Sequence, residues 1–355
     1  MKPLLLLVWL NAVFAARLFA APLSLDTQLL IATQKGQIKQ AQVLVRKGAH
    51  INARNADGQT PLMLAAQNSN AELVAFLLRQ GADVKSRDKD GFSSLGYGPE
   101  FAQLFIARGA KATRNDSAAL SDWLENEIWI DSDIEDEQVK ADVRLFMRAG
   151  VNLNTRGFDE FGTTPLLNAV ASRPTLVPFL LGVGADPNLS GKGGNTPLIE
   201  AISPLSLNGK SDSLARFLLK SGAEVNTRGE YGETALMLAA QANSVALAEE
   251  LLKRGANPNI RDRRGETALM RAARGGFPDM ARLLLSSGAD KKLTNPKGES
   301  ALDYAKSREF VMQDFLSGRH LAATTEQLQE RAQRELQRAL RGRMEVQAIL
   351  EGKKK

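Results

Sequence analysis

Apolar residues come in short clusters that recur along the chain. In residues 265–295, "GETALMRAARGGFPDMARLLLSSGADKKLTN", a small apolar block at Ala268 to Ala273 is followed by Gly275-Gly276, and a second block spans Met280 to Leu285. The first block is short and rich in alanine, which predicts a helix that a neighbour can approach closely. Thr267 stands where a hydroxyl can accept the unsatisfied amide donors of a helix start. Pro278 suits the first turn of a second helix, because its missing N–H costs nothing there. Met280, Leu283, Leu284 and Leu285 are expected to form that helix's buried side, and Gly288 to end it in a left-handed cap. The chain then crosses to the next block in a turn.

The same phrase returns. "DGQTPLMLAA" at 57–66 becomes "YGETALMLAA" at 231–240 and "RGETALMRAA" at 264–273. The glycines that close each leucine-rich stretch are Gly48, Gly81, Gly109, Gly150, Gly184, Gly222, Gly255 and Gly288, at intervals of 33, 28, 41, 34, 38, 33 and 33. A fixed period of this size means stacked supersecondary units, none of which can bury its apolar faces alone. The Thr-Pro-Leu or Thr-Ala-Leu openings at Thr60, Thr164, Thr196, Thr234 and Thr267, with the Gly-Ala-Asp/Asn endings at Gly81, Gly184, Gly255 and Gly288, resemble the ankyrin repeat. The resemblance runs from about Leu25 to Leu316. It implies an all-α solenoid of about nine helix-turn-helix units with β-turn fingers, and a protein that binds other proteins. The family usually carries histidine after Thr-Pro-Leu to tie neighbouring units. This chain has Met63, Leu167, Ile199, Met237, Met270 and Asp303 there, so mostly apolar packing is expected to form the ties. The array is placed at 24–319. Its polar first unit and its last, with Ser300-Ala301-Leu302, are read as caps.

Irregular units carry the most information, since solenoid insertions fall in loops and often on the binding face. The irregular stretches are 90–154 and 193–227. In the first, Gly96, Tyr97, Gly98 and Pro99 replace an inner helix, either by decay of a repeat or as a bend with Tyr97 exposed in it. Next, residues 121–138 hold eight acids, and no basic residue occurs between Arg114 and Lys140. Trp123 and Trp129 lie among them, which suits a contact with a basic partner or a solvated helix packed on the array. A calcium loop is disfavoured by Asp136 and Asp142 where glycine and glutamate belong. Residues 203–213 read as a loop. The tail, 322–355, reads as an amphipathic C-terminal helix with a stripe of Leu328, Ala332, Leu336, Leu340 and Met344. It serves either as a cap on the last repeat or as a docking helix.

The N-terminus has a lysine, an uncharged apolar run from Pro3 to Ala16 and then small residues, the pattern of a secretory signal peptide over 1–21. The apolar run falls short of the ~20 residues of a spanning helix, so an exported protein is expected, periplasmic rather than extracellular, with no integral membrane segment after cleavage. The net charge of +6 is concentrated in the leader and the tail. The body is nearly neutral, which argues against nucleic-acid binding by phosphate neutralisation.

Little points to chemistry. There is no cysteine and there are two histidines, His50 and His320. That excludes thiolate chemistry and cysteine-ligated zinc. No nucleophile motif or convergent carboxylate pair is evident, and "GKGGN" at 191–195 lacks the phosphate-loop spacing. No catalytic residue, cofactor or metal is expected. The expected function is recognition of another protein by a chain that is monomeric before binding, as a regulator or inhibitor in the cell envelope, for example of a cell-wall hydrolase. A secreted effector and an envelope scaffold or chaperone are the alternatives. The candidate binding residues are Phe92, Tyr97, Trp123, Trp129, Arg156, Phe158, Arg228, Tyr231, Arg261 and Arg263, because exposed aromatics and arginine are the interface-rich types.

Overall fold

The computed structural model describes residues 23–129, 135–157, 162–203, 212–306 and 326–352, with the side chains at 125–129, 326–336 and 339 outside that description. The expected leader, Phe158 and most of the 203–213 loop therefore lie outside the described residues. The rest is helical, with a single isolated bridge between Thr294 and Ser300 and no strand among the described residues. It falls into two compact units, one of residues up to Leu120 with Val143–Asn152, the other of Ser121–Asp142 with the chain from Leu153 onward.

The first unit contains the helix pairs α1 (Leu25–Gln34) and α2 (Ile38–Arg46), and α3 (Pro61–Gln67) and α4 (Ala71–Arg79). A reduced pair follows, α5 (Ser94–Tyr97), a 3-10 turn (Pro99–Phe101) and α6 (Ala102–Ile106). Two longer helices, α7 (Arg114–Trp129) and α8 (Asp136–Arg148), span the division between units. The second unit continues with α9 (Pro165–Ser172), α10 (Val177–Gly182), α11 (Pro197–Ile202), α12 (Asp212–Lys220), α13 (Ala235–Gln241) and α14 (Val245–Lys253). It ends with α15 (Ala268–Gly275), α16 (Pro278–Ser286), α17 (Ala301–Lys306) and α18 (Glu326–Glu351).

The repeated phrase folds as its chemistry dictates. Thr60, Thr164, Thr196, Thr234 and Thr267 each accept the amide of the residue three positions on, Thr267 from Met270 at 3.3 Å. Inner helices stack on inner helices, α9 to α11 to α13 to α15 to α17. Each is packed from both sides along the stack, so α13 buries every residue from Ala235 to Ala240. The outer helices bury one stripe only. In α16 this stripe is Met280, Ala281 and Leu284, whereas Leu283 and Leu285 are half-exposed, contrary to the sequence expectation. Gly276 (φ 66°) caps α15 in the left-handed region.

Apolar packing is not the whole of the tie between repeats. Asparagines form a ladder. Asn188 Oδ1 accepts the amide of Glu224 at 2.8 Å, while its Nδ2 donates to the Gly222 carbonyl at 3.1 Å. Asn154, Asn226 and Asn259 repeat both bonds, and Asn52 repeats the first. These bonds add to the apolar packing expected in place of the missing histidines, where Met63, Leu167, Ile199, Met237 and Met270 are all buried. Each such bond is worth about 1 kcal/mol net.

The tail also differs from its predicted stripe. The side that α18 lays on α15, α16 and α17 carries Arg343, Val346 and Leu350. Leu340 and Met344 face solvent, Met344 at 72% exposure. Leu328, Ala332 and Leu336 lie outside the described side chains. The packed half of α18 is a cap on the end of the second unit.

Candidate functional site

The fingers between repeats are tight turns closed by a side chain at their base. In the finger that holds Arg261, Arg263 and Arg264, Asp262 Oδ1 accepts the amides of Arg264 and Glu266, both at 2.8 Å. In the preceding finger the Gly229 amide donates to the Glu233 carbonyl (2.8 Å), and the Tyr231 amide donates to Glu233 Oε2 (2.8 Å). Two fingers are then joined edge to edge, the Arg263 amide donating to the Tyr231 carbonyl at 2.9 Å. Gly232 makes this approach feasible. Its φ is 80°, and a Cβ there would stand 3.0 Å from the Arg263 nitrogen. The backbone of Tyr231 is thus fixed from both sides, while its side chain is 59% exposed.

Beside Tyr231 lies a cleft of about 280 Å³. Its finger wall includes Asn195, Glu230, Glu233 and Asp262, and its inner-helix wall includes Leu238, Gln241, Arg271 and Arg274. One end is electrically closed. Arg271 Nη2 donates to Asp262 Oδ2 at 2.8 Å and its Nη1 to Gln241 Oε1 at 2.8 Å. Arg274 pairs with Glu266 and stands 5.0 Å over the Tyr304 ring. The Tyr304 hydroxyl donates to Glu266 Oε1 at 2.7 Å and accepts from Asn295 Nδ2 at 3.1 Å. Burial, with the Glu266 carboxylate beside it, pushes the Tyr304 phenol up.

A further acid stands outside the lining, next to the cleft residue Asn195. Glu200 on α11 is half-buried, and burial raises its carboxyl above the ordinary value, against a long 3.5 Å bond from Asn195 Nδ2. A carboxyl raised on folding stabilises the native state below its unfolded pKa and costs stability above its folded one. Glu200→Gln is therefore expected to raise the melting temperature slightly at pH 7. The gain should vanish as the pH falls below about 4.5, the ordinary value, in thermal melts across that range.

The predicted binding residues divide. Tyr231 shares a finger with Arg228, and Arg261 and Arg263 sit on the next one, all four exposed. Arg156 is exposed but tethered, its Nε donating to the Ser190 carbonyl at 2.8 Å. Tyr97 is corrected. Rather than standing exposed, it is half-buried, donating to Asp88 Oδ2 (2.5 Å) and accepting from Gln59 Nε2 (2.9 Å). Burial, helped by the Asp88 carboxylate, pushes its phenol up to about 12. Phe92 is half-buried against Tyr97, ring centroids 5.8 Å apart. Trp123 is half-buried on α7, and the Trp129 side chain and Phe158 lie outside the described residues. The sequence reading missed Glu230, Glu233, Asp262, Glu266, Arg271 and Arg274. The available signal was the acid before the capping threonine in both "GETAL" phrases, with arginines following only the second.

Among the described residues no acid–histidine group could hold a metal ion, and no helix is long and apolar enough to cross a membrane. The family described as ankyrin repeats (three copies) matches residues 22–116, 166–262, 205–295 and 236–314, more than half of the chain. The chain belongs to the ankyrin-repeat family, whose arrays are protein-interaction modules. It is also similar to a putative ankyrin repeat protein of Rickettsia felis, 33% identical over 115 residues, which cover 31% of this chain and 50% of the relative. The chain thus spans about half the length of that curated relative.

Proposed function

We propose that this protein is an exported binding module that holds a partner protein on the finger edge and inner helices around Tyr231, and that it regulates, inhibits or shields that partner in the cell envelope. The observation that carries the binding surface is Tyr231 itself, a large side chain held in the open by a backbone fixed on both sides. Rigid aromatics flanked by arginine make effective anchors, since little freedom is lost on binding. The export step rests on the charged, apolar and small-residue order of the first 21 residues. A helix whose apolar side is packed on the last repeats, as that of α18 is at Val346 and Leu350, is less suited to be the main docking element.

The test is capture of partners from an envelope extract with the tagged full chain, beside a Tyr231→Glu/Arg263→Glu variant. One dominant partner, bound at least ~30-fold more weakly by the variant, is the expected result, on the scale of interface hot spots. Equal binding by both would move the surface elsewhere. Recovery of a partner only from growth medium would replace the envelope reading with that of a secreted effector.

A further inference from the structure

We propose that the cleft beside Tyr231 receives one cationic side chain, arginine or lysine, from an extended segment of the partner, held by Glu230 and Glu233 against the Tyr231 ring. This rests on the reading that the finger edge of the second unit is the partner surface.

The argument starts from charge. Four acids line the cleft, Glu230, Glu233, Asp262 and Glu266. Two are matched within the protein, Asp262 by Arg271 at 2.8 Å and Glu266 by Arg274. No cation among the described residues pairs with Glu230 or Glu233. Glu233 is the more demanding, because it is only 8% exposed. Its Oε2 takes the Tyr231 amide, and its Oε1 receives no hydrogen from the described residues. A largely buried carboxylate with one oxygen still lacking a donor is well placed to take a charge or donor from outside. Arg264, the remaining cation of the lining, is exposed, and its guanidinium forms no ion pair with either glutamate.

Shape agrees with charge. Leu238 supplies an apolar surface in the same lining. Long basic side chains lay their methylene stems along such a surface while the head reaches a carboxylate. Tyr231 stands at the rim with its ring open, and a guanidinium or ammonium near an aromatic face gains further attraction. Glu230 is exposed on the same finger, where it steers a cation inward.

The experiment is selection of peptides from a random displayed library against the full chain, with Tyr231→Glu/Arg263→Glu as the counter-target. Peptides that depend on the finger edge are expected to share one essential basic position. Replacing it by citrulline, or lysine by acetyl-lysine, should weaken binding by about 30-fold, the scale of a truncated interfacial charge pair. Glu230→Gln/Glu233→Gln should lose the same factor for the basic peptide and nothing more for the neutral one, the coupling a double-mutant cycle detects. Glu230→Gln alone changes only an exposed side chain, so a partial loss there guards against misfolding of the double variant. Peptides that need the fingers but no basic residue, or that ignore the glutamate variants, overturn the cleft assignment and leave the finger surface standing. Peptides indifferent to Tyr231 and Arg263 overturn both, and so does a selection that yields no binder.

Discussion

Glu266→Ala is expected to destabilise the protein by ~3–5 kcal/mol, the cost of removing one partner from a buried charge network. Glu266 is 5% exposed and takes Arg274, the Tyr304 hydroxyl and, more distantly, Arg271 at 3.9 Å. Alanine leaves the Arg274 guanidinium without its carboxylate and the Tyr304 hydroxyl without its acceptor, both inside the stack of α15 and α17. Arg274 keeps 24% side-chain exposure and can be partly resolvated, so the lower end of the range is expected. Glu266→Gln separates the terms. It retains an acceptor for Tyr304 but not the charge, and should fall between wild type and alanine. Urea unfolding followed by circular dichroism reads both, with the shift in midpoint at constant slope as the stability change. A loss below about 1 kcal/mol for alanine would mean that the two arginines find other partners, and the electrically closed end of the cleft would not be a structural element.

The array was legible because its signals are local and repeat. A capping threonine, a proline at the first turn and a glycine in the left-handed region each act within a few residues, so Thr267, Pro278 and Gly288 announce their roles in one unit and confirm them in the next. What the sequence hid depends on neighbours about 33 residues away. The asparagine ladder has a regular signature, Asn52, Asn154, Asn188, Asn226 and Asn259 each standing four residues after a helix-ending glycine. Its meaning lies in bonds to the next repeat, which no single unit displays. The third repeat is similar. Its glycines look like decay, but a Cβ at Gly96 would stand 2.6 Å from Asp116 Oδ1, and one at Gly98 would stand 2.7 Å from the Ala66 Cβ. The Asp116 carboxylate in turn accepts the Ser93 amide and hydroxyl, both at 2.8 Å. The small residues are there for close approach, and the same packing turns Tyr97 inward. The cleft was harder still, since its charges come from two fingers and one inner helix.

Gly342→Leu carries the other large effect, and its sign distinguishes packing from propensity. In a free helix leucine replaces glycine with a gain of roughly 0.8 kcal/mol. Here a Cβ at Gly342 would stand well inside van der Waals contact distance of the Gly276 carbonyl oxygen, so α18 must move. That contact is the centre of its attachment. One residue on, Arg343 donates to the Arg274 carbonyl, one of the orphan acceptors at the end of α15. Val346 and Leu350 bury the next two turns, Arg282 reaches Glu345 at 2.6 Å, and Lys291 Nζ reaches the Leu350 carbonyl at 2.8 Å. Losing the burial of Val346 and Leu350 alone costs about 3 kcal/mol or more. The expected outcome is a lower melting temperature, with amide protection lost along 340–350 and tryptic cleavage after Arg338 and Arg341 many-fold faster, while α13 and α14 keep their protection. Increased stability would show that α18 gains only its own helix and does not dock. A uniform loss of protection through α13 would show that the cap holds the whole second unit together, and the array would then unfold from this end.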